Sequence, residues 1–196
     1  MSRWLHAVVS VALCLALAAC PRGKRHTLVP SVPTSGDPVA RARFIEARDA
    51  FLRDGSGRAD LEEIVRDFPD DPVTPFALLY AGIAAFGDGD AQAAVTELRQ
   101  IATLDTVDAG LQARADLYLG LSYNALGDSA KALPYLLRSE RAVEGDAERG
   151  LWIAATAVAS AASPTPLDAL VWLDRFWDVG TEPERGWVLA RLDELV

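Results

Sequence analysis

The sequence predicts an all-α fold, an α-solenoid of three to four antiparallel helical hairpins closed by a C-terminal capping helix, on three observations. Apolar residues recur with helical periodicity from Val39 to Val196. The chain carries 34 alanines, the strongest helix former, and no run of alternating β-branched residues that would mark a strand. The group Gly82, Gly89, Asp90, Ala94 returns as Gly120, Gly127, Asp128, Ala132 at a constant offset of 38 residues, as expected of a stacked supersecondary unit. An apolar content of 51% with 24% charge in 196 residues suits a folded domain and excludes a disordered chain.

The first element, residues 1–19, reads as an export signal. Arg3 gives a positive start, and Ala7 to Leu17 is an uncharged apolar run too short for a stable membrane span. The run ends in Leu17, Ala18, Ala19, Cys20, which resembles the lipobox of bacterial lipoproteins in all four positions. The resemblance implies that Cys20 receives a diacylglyceryl group and becomes the first residue of the mature chain. Cys14 is then discarded, no thiol remains for a disulfide, and several acyl chains hold the protein to its membrane. An ordinary cleaved secretory signal is the alternative. With Pro21 where the inner-membrane retention signal usually places Asp, the resemblance implies sorting to the outer membrane of a Gram-negative cell, facing the periplasm.

Residues 20–38 read as the lipidated Cys and a flexible tether. Pro21, Pro30, Pro33 and Pro38, with Gly23, Ser31, Thr34, Ser35 and Gly36, leave no periodic apolar face. Arg22, Lys24 and Arg25 make its root basic, whereas residues 37–196 hold 15 basic against 28 acidic residues, a net of −13. A basic root on anionic headgroups below an acidic body is one reading, and a merely solvated linker is the other.

Residues 39–180 carry the repeats. Pairs of small residues twelve apart recur as Ala47 with Ala59, Gly82 with Ala94, Gly120 with Ala132, and Ala157 with Ala169. Small residues at such positions let two antiparallel helices approach closely while larger neighbours interdigitate. Between them, Gly89 and Asp90, or Gly127 and Asp128, offer a left-handed helix stop followed by a cap for the next helix. In the first unit the turn glycine Gly55 disagrees with the small-residue pair by one position, and in the last Ser163–Pro166 replaces Gly-Asp.

These residues resemble the tetratricopeptide repeat, over roughly residues 40 to 180 and most clearly in the two central units. The junction Phe68, Pro69, Asp70, Asp71, Pro72, then Pro75, is similar to the link between repeats in outer-membrane assembly lipoproteins and the Tol-Pal-associated repeat protein. It is also similar to the N-terminal repeat region of penicillin-binding-protein activators. The resemblance implies a concave groove formed by the first helix of each unit, with Phe76, Leu79, Ile83 and Phe86 followed by Arg114, Leu117, Leu121 and Asn124. An apolar groove with a polar edge suits a partner's amphipathic helix or extended peptide. Burial of the same residues as core is the alternative.

All four Trp of the mature chain, Trp152, Trp172, Trp177 and Trp187, lie near the C-terminus, an arrangement that fits an interface or a covered helix end. Residues 181–196 are expected to form a capping helix, with Val188, Leu192 and Leu195 in register, or the start of a missing domain.

Enzyme chemistry is poorly served. Beyond Thr27 there is no His and no Cys, hence neither the usual acid–base group nor a thiol nucleophile, and no zinc site. Asp88, Gly89, Asp90 lacks the oxygen ligands of a calcium loop, since Ala91, Ala93 and Ala94 follow. Ser139 and Glu140 do not reproduce the motif of lytic transglycosylases, and a carboxylate-based peptidoglycan hydrolase is the weakest reading. A net charge of −9 opposes nucleic-acid binding. No metal, cofactor or catalytic residue is expected. The expected function is a membrane-anchored scaffold that docks a protein partner in the cell envelope, in outer-membrane assembly or Tol-Pal-like organisation. The N-terminal module of a penicillin-binding-protein activator is the alternative.

Overall fold

A computed structural model describes residues 32–104, 107–164 and 168–177, with isolated positions 182, 185, 186 and 189. The export signal, the lipobox residues Leu17, Ala18, Ala19 and Cys20, the tether before residue 32, and nearly all of the expected capping helix lie outside the described residues. What is described is all-α, with no strand. The helices are α1 (Pro38–Asp54), α2 (Arg58–Asp67), α3 (Thr74–Gly87), α4 (Ala91–Ile101), α5 (Ala109–Ala125), α6 (Ser129–Arg138), α7 (Gly145–Ala161) and α8 (Asp168–Trp177), with a 3₁₀ turn at Glu140–Ala142. Each helix packs on the next in sequence, and α1 on α3, α3 on α5, and α5 on α7 pack as well. Helices α3 and α5 therefore sit inside the stack, which is why α3 buries Phe76, Leu78, Leu79, Ala81 and Ala85 together instead of along one stripe.

Local chemistry explains the helix ends. At the α3–α4 turn Gly89 has φ 81, its N–H donates to the Phe86 carbonyl at 3.0 Å, and the Asp90 N–H donates to the Ala85 carbonyl at 2.9 Å. At the α5–α6 turn Gly127 has φ 78, and the equivalent bonds run to Asn124 and Tyr123, both at 2.9 Å. This is the six-to-one and five-to-two closure that satisfies the last carbonyls of a helix with a left-handed residue. Each following Asp then caps its helix, Asp90 accepting from Ala93 N at 3.0 Å and Asp128 from Lys131 N at 3.2 Å. The 38-residue offset is thus one turn geometry used twice.

The crossings above these turns match as well. Space beside Gly82 is filled by Leu98, and space beside Gly120 by Leu136, each sixteen residues on. A Cβ on Gly82 would lie 2.5 Å from Leu98 Cγ, and one on Gly120 would lie 2.6 Å from Leu136 Cγ. Ala94, Ala132 and Ala157 are fully buried and Ala47 nearly so.

Ala59 does not fit the expected register, because it is exposed. The α1–α2 turn runs through two left-handed glycines, Gly55 and Gly57, and Gly57 occupies the cap position itself. Counted from the caps, Leu61 stands where Ala94 stands in α4, and Leu61 with Ile64 fills this crossing. The side chain of Ala169 lies outside the described residues.

The expected boundary between tether and body also moves. Asp37 caps α1, with Pro38 at its first turn. Val32 is half-buried against the core, and the Asp37 N–H donates to the Asp71 carboxylate at 2.6 Å. Asp71 also accepts from Val73 N at 2.9 Å, so one side chain ties the α2–α3 junction to the segment ahead of α1. Arg41 reaches back to the Thr34 carbonyl. Residues 32–37 therefore belong to the folded body.

Candidate functional site

A cleft of about 340 Å³ opens on the side built by α1, α3 and α5. The end of α1 gives Phe51 and Leu52, α3 gives Phe76, Leu79, Tyr80 and Ile83, α5 gives Arg114 and Tyr118, and the residue before α7 gives Glu144. On α3 the spacing of three, four and seven residues puts all four side chains on one face. Tyr80 is wedged edge-on between Phe44 and Phe51, both at 5.8 Å between ring centres, and Phe86 meets Tyr118 edge-on at 5.9 Å. Leu52, 64% exposed, forms the rim.

The polar end of the cleft is a tied network. Arg114 Nη1 donates to the Ala142 carbonyl at 2.7 Å and to Glu148 Oε2 at 2.6 Å. The Tyr118 hydroxyl donates to Glu148 Oε1 at 3.2 Å, and the Glu144 N–H to Glu148 Oε2 at 2.6 Å. Arg114 lies 5.6 Å from the centre of the Tyr118 ring. Burial pushes the Tyr118 phenol up to about 12, with the Arg114 charge opposing and Glu148 reinforcing it. Burial raises the Tyr80 phenol too. Glu148 is consumed by its three donors, whereas Glu144 Oε1 is shielded from water and has no hydrogen-bond partner among the described residues.

Of the expected groove residues, Phe76, Leu79, Ile83 and Arg114 line the cleft. Phe86 is half-buried behind Tyr118. Leu117, Leu121 and Asn124 are buried and do not line it. Asn124 donates to the Ala155 carbonyl at 2.7 Å, tying α5 to α7. The reason is rotational. At about 100° per residue, a step of four from Arg114 lands about 40° away, on Tyr118, whereas a step of three lands about 60° away on the other flank, on Leu117. Asn124 lies on that second flank as well, about 80° from Arg114, whereas Leu121 lies only about 20° from Arg114 but about 10 Å further along the helix axis.

Sequence reasoning missed Phe51, Leu52, Tyr80, Tyr118, Glu144 and Glu148. One signal was present, since Tyr80 and Tyr118 are themselves 38 residues apart. Glu144 and Glu148 reach the cleft only through the stacking of α7 on α5, which no local pattern encodes.

At the other end, Trp152 is buried in α7 and donates its indole N–H to the Leu136 carbonyl at 2.8 Å. Trp172 of α8 covers it edge-on at 5.2 Å, and Arg175 lies over Trp172 at 4.7 Å. These two Trp residues are accounted for by the packing of α8 on α7. The side chains of Trp177 and Trp187 lie outside the described residues.

Among the described residues no cluster of His, Cys, Asp and Glu is arranged to hold a metal ion, and no helix is long and apolar enough to cross a membrane. No known protein family, no curated protein and no solved structure matches this chain.

Proposed function

We propose that this protein is a lipid-anchored scaffold of the cell envelope, a tetratricopeptide-like solenoid of helical hairpins that docks a protein partner noncovalently and catalyses no reaction. On this reading α1–α2, α3–α4, α5–α6 and α7–α8 are the hairpins, and the first helix of each stacks on the first helix of the next. The observation that carries the docking function is the cleft itself. It is lined by α1, α3 and α5, and its walls are apolar and aromatic with an exposed Leu52 at the rim. Such a surface fits a peptide segment better than it fits a reaction, since Arg114, Tyr118 and Glu148 satisfy one another. The lipobox at Leu17–Cys20 supports the anchor, and Pro21 supports the outer membrane facing the periplasm.

The test is photocrosslinking in intact envelopes from Leu52, with the exposed Arg99 on α4 as control. Leu117 is unsuitable as a probe because it is fully buried. An envelope protein captured from Leu52 and not from Arg99 is the expected result. Only intramolecular crosslinks from Leu52 would defeat the docking function. Cys20→Ser tests the anchor in the same cells: the protein should move from the membrane pellet to the soluble fraction, and an unchanged pellet would remove the lipid from the reading.

A further inference from the structure

We infer that the cleft receives a Lys or Arg side chain, carried on an apolar segment of the partner protein, with Glu144 as its counter-charge. The inference rests on the docking function proposed above and specifies the chemistry of what docks. Glu144 lines the cleft, and its Oε1 is shielded from water with no donor among the described residues. Two nearby donors are committed elsewhere, Arg114 Nη1 to Ala142 and Glu148, and the Tyr118 hydroxyl to Glu148. A desolvated carboxylate oxygen left without a donor is costly, and an incoming ammonium or guanidinium removes that cost.

The surroundings suit a cation on an aliphatic stem. Phe51 and Tyr80 line the cleft, and a cation near such rings gains from their quadrupoles. Leu52, Leu79 and Ile83 can cover the methylenes of a Lys or Arg and the apolar residues beside it. A free amine would leave the Leu52 rim uncovered, which favours a peptide over a small molecule. Charge agrees at long range, because residues 37–196 carry 15 basic against 28 acidic residues and attract a basic partner. This is the opposite polarity to a groove that clamps a peptide's terminal carboxylate with basic residues.

The test is selection from a displayed library of random twelve-residue peptides against the full-length chain in detergent. The same selection is run on Glu144→Gln, which keeps the shape and removes the charge, and on Leu52→Gln, which makes the exposed rim polar without adding a charge. Circular dichroism checks that both variants are folded. Peptides enriched on the native chain should carry one Lys or Arg among apolar residues and be lost on Leu52→Gln. Resynthesised, they should bind Glu144→Gln about tenfold or more weakly, the difference shrinking with salt. Peptides that are lost on Leu52→Gln but lack a basic residue and bind Glu144→Gln equally would overturn the cation and leave the docking cleft standing. If no peptide distinguishes the native chain from Leu52→Gln, both fall.

Discussion

Replacing Gly120 by Ala adds one carbon at the crossing of α5 and α6, and its effect follows from three distances. The new Cβ would lie 2.6 Å from Leu136 Cγ, 2.7 Å from its Cδ2 and 3.1 Å from its backbone nitrogen. Carbon atoms in good contact sit about 3.5–4.0 Å apart, so the overlap is near 1 Å. Leu136 is fully buried, its Cγ is one bond from Cβ, and the third neighbour is backbone, so rotation of the side chain alone does not clear the clash. Overpacking of this kind costs roughly 1–3 kcal/mol, against which Ala returns about 1 kcal/mol of helix propensity. A net loss of up to roughly 2 kcal/mol should lower Tm by up to about 8 °C in a chain of this size. Gly87→Ala is the control, since nothing lies within 4 Å of a Cβ there, and its Tm should hold or rise. Leu136→Ala alone removes a buried side chain and should cost roughly 2–5 kcal/mol. Added to Gly120→Ala it should cost less than it does alone, by about 1 kcal/mol or more. Thermal denaturation of the four proteins measures the cycle. A Gly120→Ala protein as stable as the native one, with an additive double variant, would refute the crossing.

Gly57→Asp would copy the Asp caps of the other two turns, yet it should destabilise, because Gly57 has φ 92 and a Cβ would lie 2.6 Å from the Ala47 carbonyl oxygen; a raised Tm would show that α1–α2 accepts the same cap as α3–α4. Glu148→Ala strands Arg114, whose side chain is only 16% exposed, along with the Tyr118 hydroxyl and the Glu144 N–H. It should cost roughly 2–4 kcal/mol in urea denaturation. Alkali should act through Tyr118: the folded protein holds this proton to about pH 12 while the unfolded chain releases it near pH 10, so its contribution is full below pH 10 and is lost as pH rises from there toward 12. Replacing Tyr118 by Phe should flatten the loss of stability over that range, by at most roughly 3 kcal/mol, read as Tm against pH.

Turn chemistry made the centre of this fold legible. A left-handed glycine and an Asp cap are local requirements, so Gly89–Asp90 and Gly127–Asp128 announced both turns and the repeat that contains them. The first pair of helices was harder to read, because Ala59 offers the same twelve-residue spacing to Ala47 while the crossing uses Leu61 and Ile64. A small residue at a fixed spacing names a crossing only when the cap fixes the helix phase. The cleft suffered from the same ambiguity of phase: Leu117 and Tyr118 are neighbours in sequence, and tertiary stacking alone decided that Tyr118 lines the cleft while Leu117 is core. Asp71 was wholly silent. Its role comes from accepting the backbone of Asp37, 34 residues away, through a side chain that reads locally as one more turn residue.

That seating of the N-terminal segment has a mechanical consequence. A pull on the chain ahead of Val32 enters the body beside the α2–α3 junction, through Asp37 and Asp71, before it can peel α1. With the proposed lipid on Cys20, twelve residues separate the anchor from Val32 against seventeen to Asp37, and the greatest distance that the intervening chain can span falls from about 60 Å to about 40 Å. A second cavity at this junction is lined by Pro33, Asp71, Pro72 and Phe76, and Phe76 also borders the cleft, so the mooring point and the proposed docking surface share a wall. A partner that inserts against that wall and a pull from the proposed anchor would then load the same few residues.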